Sequence, residues 1–164
     1  MMKKRWICLF VENEIGVLAR ISGLFSGKSY NIDTLTVGVT EDKSISRMTI
    51  SLTSDDQTFE QIKKQLNRSI EVIKVVDYTN IDIHIKELTF VKINACSDRD
   101  IEEIFRIAQV FHVTVMDYNQ ETVLIESVQT ENENNRLIAL LEKCYVNRIE
   151  IVRGGNVAVE ALKQ

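Results

Sequence analysis

Asn13-Glu14-Ile15-Gly16-Val17-Leu18 holds the residue types most able to do chemistry in this chain. A glycine where an apolar strand gives way to a helix leaves backbone N–H groups uncovered. The positive end of the helix dipole at that point suits a small carboxylate. The asparagine just before it offers both a donor and an acceptor to the same molecule. Tyr30-Asn31-Ile32-Asp33, opening the next strand, is a second segment of this kind. No nucleophile with a base accompanies them, so the pattern predicts recognition rather than reaction, with no catalytic residue assigned.

Other reactive side chains are dispersed. Cys8, Cys96 and Cys144 are odd in number and lack a Cys-x-x-Cys pairing, which predicts packing roles for Cys8 and Cys144. His84 and His112 stand far apart with no partner at ligand spacing, so no metal site is expected and both read as surface or strand-end residues. Taken alone, Asn13 would be an ordinary N-cap and Tyr30-Asn31 an ordinary turn. Arg47 reads, on its own, as a solvated strand residue.

The elements that must position these residues follow from hydrophobic periodicity. Trp6–Val11 is a continuous apolar run, read as a buried strand. Val17, Leu18, Ile21, Leu24 and Phe25 recur at helical spacing, predicting a helix from Gly16 to Lys28. Alternation predicts strands over 32–40 and around Met48–Leu52; Phe59, Ile62 and Leu66 mark a second helix, and Val72–Tyr78 a fourth strand. The order is β-α-β-β-α-β.

The same order recurs. Leu88–Ala95 reads as a strand that Ile81, Ile83 and Ile85 extend backwards; Ser97 or Asp98 caps a helix with the stripe Ile101, Ile104, Phe105, Ala108 and Phe111. Val113–Tyr118 and Thr122–Val128 form a hairpin around Asn119-Gln120. Glu131–Asn135 is read as polar loop and helix start, with Glu131–Glu133 a solvated acidic loop, before a last helix with the stripe Leu137, Ile138, Leu141 and Cys144. Ile149–Val152 is read as a short strand, Arg153-Gly154-Gly155 as a turn, and Asn156–Val159 as an extension.

Two split β-α-β units predict an α+β chain of two tandem ferredoxin-like (βαββαβ) domains, 1–80 and 81–164. Several strands are apolar on both faces while helices cover only one, which predicts a partner on the other face and hence a dimer.

Composition excludes whole classes of function. The chain has 164 residues, a net charge of −4, and no basic stripe: residues 1–80 hold 11 Lys/Arg against 10 Asp/Glu, the remainder 9 against 14. A nucleic-acid binder is therefore not expected. The apolar runs are too short to span a bilayer, and the run after Met1-Met2-Lys3-Lys4-Arg5 ends at Glu12 without a cleavage site, so a cytoplasmic location is expected.

An ordered set of motifs resembles the ACT domain, and more closely the small regulatory subunits of acetolactate synthase (acetohydroxyacid synthase). It comprises Val11-Glu12-Asn13-Glu14-Ile15-Gly16-Val17-Leu18 with Arg20, Gly23-Leu24-Phe25-Ser26, Tyr30-Asn31-Ile32, Ser46-Arg47-Met48, and Lys86-Glu87-Leu88 opening the second half. The second half is looser: His112 and Val113 stand where the family has Arg-Ala, Ser29 replaces a glycine, and Glu160-Ala161 replace a terminal Arg-Gly.

The resemblance implies a subunit without its own active site or cofactor. Its catalytic partner would carry thiamine diphosphate, magnesium and FAD, and would condense 2-ketoacids. It further implies feedback inhibition by a branched-chain amino acid, usually valine, bound between two ACT domains of a homodimer. Asn13, Gly16, Val17 and Leu18 of one protomer would face Asn31 and Ile32 of its partner, and Arg47 would touch the catalytic subunit. A stand-alone amino-acid sensor is the alternative reading.

Overall fold

The computed structural model describes residues 1–28 and 30–162; Ser29, where the resemblance expects a glycine, lies outside them. The chain divides into two compact units: Met1–His84 joined by the segment from Asn156 onward, and Ile85–Gly155. The C-terminal segment from Asn156 thus groups with the first unit.

In the first unit, β1 (Lys3–Glu12), α1 (Val17–Ser26), β2 (Thr34–Val39), β3 (Ile45–Ser54), α2 (Asp56–Leu66) and β4 (Val72–Asp77) follow the expected order. The sheet order is β2-β3-β1-β4 with antiparallel pairing, the ferredoxin-like arrangement. Alternation sends Ile7, Leu9 and Val11 of β1, with Met48, Ile50 and Leu52 of β3, toward the helices. Val17, Ile21 and Phe25 of α1 and Phe59, Ile62 and Leu66 of α2 close that core. Asp55 caps α2 by accepting from the Thr58 N–H at 2.8 Å.

The second unit repeats the plan with β5 (Ile83–Ile93), α3 (Asp98–Phe111), β6 (Thr114–Tyr118), β7 (Val123–Gln129), α4 (Glu131–Cys144) and β8 (Ile149–Glu160), in the sheet order β6-β7-β5-β8. Val91, Ile93, Val123 and Ile125 meet Ile104, Leu137 and Leu141 in its core. The expected two-copy α+β architecture is therefore present.

Three local expectations are corrected. Glu131–Glu133 is no loop: Thr130 and Glu133 form a capping box, and the acidic residues are the first turn of α4, where the helix dipole favours negative charge. Arg153-Gly154-Gly155 does not turn the chain, since β8 runs unbroken from Ile149 to Glu160. Gly154 instead allows a close approach, because a Cβ there would lie 3.3 Å from the Leu88 carbonyl oxygen. Cys144 is exposed, and the neighbouring Tyr145 takes the buried place as the helix ends.

One sheet face of the first unit points away from its helices. Cys8, Thr49 and Ser51 are buried there. The end of β8 lies against this face: Thr36 Oγ1 donates to the Asn156 carbonyl at 2.8 Å, and Arg47 donates to that of Ala158. The chain's own C-terminal segment thus lies on part of the face for which a second copy is expected.

Candidate functional site

β1 delivers the chain to the loop 13–16, and α1 carries it away. Gly16 is the N-cap of α1 at φ +88°, a left-handed conformation that glycine adopts without steric cost. No side chain caps this helix and no acidic residue occupies its first turn. The Val17 N–H donates to the Glu14 carbonyl at 3.3 Å, and the next two, of Leu18 and Ala19, keep their hydrogen-bonding capacity among the described residues and their share of the positive dipole end. The three other helices have side-chain caps, so α1 is the exception.

Asn13 is not that missing cap. Its Nδ2 donates to the Lys43 carbonyl at 2.9 Å, and its Oδ1 accepts from Ser46 Oγ at 3.0 Å. The backbone N–H of Asn13 also donates to the Ser44 carbonyl at 2.7 Å. Asn13 thus ties the β1–α1 loop to the β2–β3 turn. One amide hydrogen and one oxygen lone pair remain for a ligand.

Gly16, Val17 and Leu18 sit together at the helix start, but they present different things. The Val17 side chain is buried in the core, so only its backbone faces the loop. Leu18 is 47% exposed, and Ile15 at the loop tip is fully exposed. Nothing in the sequence pattern singled out Ile15; only its exposure does. Asn31 is exposed, whereas Ile32 is half-buried against the first core. The residues before β2 are tied to the unit by the Tyr30 N–H on the Phe25 carbonyl and the Asp33 N–H on the Ser51 carbonyl.

Arg47 is not solvated. Nε donates to Cys8 Sγ at 3.0 Å, and Nη2 donates to Tyr78 Oη at 2.9 Å and the Ala158 carbonyl at 2.5 Å. Its guanidinium lies 5.6 Å from the Phe10 ring centroid. Burial works against its charge, but the Cys8 and Tyr78 contacts prevail and hold its pKa above the ordinary arginine value. The register pairs Phe10 with Arg47 and Cys8 with Thr49, so these side chains share the face under β8.

β2 is an edge strand, paired only with β3. Its Val37 and Val39 are 47% and 58% exposed, an apolar edge without a partner among the described residues. Those residues contain no group of three or more His, Cys, Asp or Glu able to hold a metal ion. No helix is long and apolar enough to cross a membrane.

The first unit, ferredoxin-like with a first helix that starts at a left-handed glycine, is an ACT domain. Residues 7–74 match the AHAS small subunit-like ACT domain, and residues 86–161 match the small subunit of acetolactate synthase. The chain is 41% identical to the acetolactate synthase small subunit of Aquifex aeolicus over 96% of its own length and 81% of that protein. It is 36% identical to that of Haemophilus influenzae over 95% of this chain and 94% of the other. The crystal structure of the Thermotoga maritima acetolactate synthase small subunit superposes with a TM-score of 0.87 at 30% identity, covering 99% of both chains. The chain belongs to the acetolactate synthase small-subunit family.

Proposed function

We propose that this chain raises the activity of a catalytic acetolactate synthase subunit and makes it inhibitable by a branched-chain amino acid, valine foremost. The observation that carries this reading is the uncapped start of α1 at Gly16, beside an asparagine with spare hydrogen-bonding capacity. The effector's carboxylate would take the N–H groups of Leu18 and Ala19, and its ammonium the free lone pair of Asn13 and the side-chain oxygen of Asn31. Leu18 and Ile32 supply apolar surface for a branched side chain. One methylene changes affinity in such a pocket by only about 1–3 kcal/mol, so valine, leucine and isoleucine compete for one site.

Two copies would pair through the exposed β2 edge, adding strand to strand. Asn31 and Ile32 of one protomer would then face the helix start of its partner. The catalytic subunit would supply thiamine diphosphate, magnesium and FAD, with no reaction step on this chain. Inhibition follows by linkage: the effector stabilises one arrangement of the dimer, at a typical coupling of about 1–3 kcal/mol.

Reconstitution with the catalytic subunit tests the proposal. Gly16→Asp and Asn31→Ala are expected to abolish valine inhibition while activation persists. Wild-type sensitivity in both variants would refute the site. Failure to co-purify with a catalytic subunit would favour the stand-alone sensor.

A further inference from the structure

The second unit contains a cavity that the proposed effector site does not involve. Its volume is about 220 Å³, and it lies where the end of α3, the end of β7 and the first turns of α4 meet. Phe111, Val113 and Leu137 form apolar walls, with Val110 beside them. A water takes roughly 30 Å³, so the space is several waters in size. That is the size of a small metabolite, not of a nucleotide.

The polar side of the cavity is arranged on α4. Glu133 is fixed by its own capping box: Oε2 accepts from the Thr130 N–H at 3.2 Å and from Thr130 Oγ1 at 2.9 Å. Oε1 accepts no hydrogen bond from a described residue. The Thr130 contacts, with Lys86 and Arg136 nearby, hold this carboxyl below its ordinary value, so it is anionic at neutral pH. Arg136, one turn further on, is exposed and donates no hydrogen bond among the described residues.

The opposite wall is the carboxyl end of α3. His112 turns there through a left-handed φ of 54°, and Gln129 Nε2 binds the Phe111 and His112 carbonyls at 3.2 and 3.4 Å. This is the negative end of that helix dipole. Ser127 offers no further donor, because its hydroxyl is committed to Asn134 Oδ1 at 2.6 Å. A cation is thus favoured between Glu133 and the α3 end, an anion at Arg136, and an aliphatic group against Phe111, Val113 and Leu137.

We propose that this cavity binds a free α-amino acid with a short aliphatic side chain, independently of the site at Gly16. A simple carboxylic acid would meet Glu133 unfavourably, and a simple amine would leave Arg136 unused. The zwitterion sets an opposite charge beside each of them.

The test is a titration of the full ¹⁵N-labelled chain with L-leucine and L-valine, followed by amide shifts. Saturable shifts are expected over residues 110–113 and 129–137, retained in Gly16→Asp. In Arg136→Ala they are expected to weaken about tenfold or more, the usual consequence of losing a charge-assisted hydrogen bond. 4-Methylpentanoate and 3-methylbutylamine, each lacking one charge, are expected to give weaker shifts than L-leucine. The proposal is overturned if no saturable shift occurs in those segments, if the shifts persist unchanged in Arg136→Ala, or if they vanish in Gly16→Asp. The Arg136 side chain makes no hydrogen bond with a described residue, so an unaltered spectrum of the free variant serves as the folding control.

Discussion

Arg47 of β3 and Ala158 of β8 stand 111 residues apart and are joined by a 2.5 Å hydrogen bond from the guanidinium Nη2 to the backbone carbonyl. With Cys8 and Tyr78 on the same guanidinium, one side chain fastens the C-terminal strand to the first sheet. Arg47→Met keeps the stem and removes the donors. It is expected to cost about 2–3 kcal/mol, since hydrogen bonds to a charged group are worth about 1.5–3 kcal/mol each and share one anchor here. Urea unfolding gives the total. Hydrogen exchange should localise the loss to the amides of 156–160, and unchanged protection there would show that Arg47 does not hold the strand.

Gly16 has open space around it: an added Cβ meets nothing within 4 Å, yet φ is +88°. Gly16→Ala should therefore fold without a clash but lose about 1 kcal/mol from the left-handed backbone. A lowered melting temperature is expected. A neutral or stabilised variant would mean that the helix start relaxes to another conformation.

Asn13→Ala removes both side-chain bonds between the β1–α1 loop and the β2–β3 turn, while the backbone bond from Asn13 to Ser44 stays. About 1 kcal/mol is at stake, because Asn13 is exposed and only its Ser46 partner is buried. Exchange of the amides over 42–46 should accelerate while the β1 amides keep their rates. Uniform acceleration would point to a global effect instead.

Glu87 gives the second unit a dependence on pH. Only 1% exposed, its carboxylate accepts from Arg153 Nε and Nη2 at 2.9 and 2.7 Å and from Asn134 Nδ2 at 3.0 Å. Burial pushes its pKa up, but the Arg153 and Asn134 bonds outweigh this and hold it below 4.5. A lowered carboxylate pKa contributes stability that is present above the unfolded value and lost as pH falls through the folded one. The urea midpoint should thus decline once pH drops under 4.5. Glu87→Gln should be less stable by about 2–4 kcal/mol at pH 7, with the gap narrowing in acid. A gap independent of pH would assign the loss to packing.

How much of this was readable beforehand differs by element. Ile7, Leu9 and Val11 announced a core face, and Phe59, Ile62 and Leu66 a helix against it, because burial on one side imposes a local period. Ser97 announced a cap through the composition of a single turn. Glu131–Glu133 was misread because polarity suits both a loop and the first turn of a helix, and the Thr130–Glu133 pairing decides between them. Gly154-Gly155 was misread because glycine serves a turn and a close strand approach equally well.

Sequence alone determined the doubled β-α-β-β-α-β order, the two cores and the glycine at the start of α1, since each follows from periodicity or backbone preference within a few residues. Tertiary structure alone decided that Asn13 faces the β2–β3 turn, that Arg47 grips Ala158, and that the segment from Asn156 lies on the first sheet. Spacing along a chain shows that a face is apolar or a donor is present. It does not say which distant segment arrives to cover the one or accept from the other, because that choice is made by long-range packing.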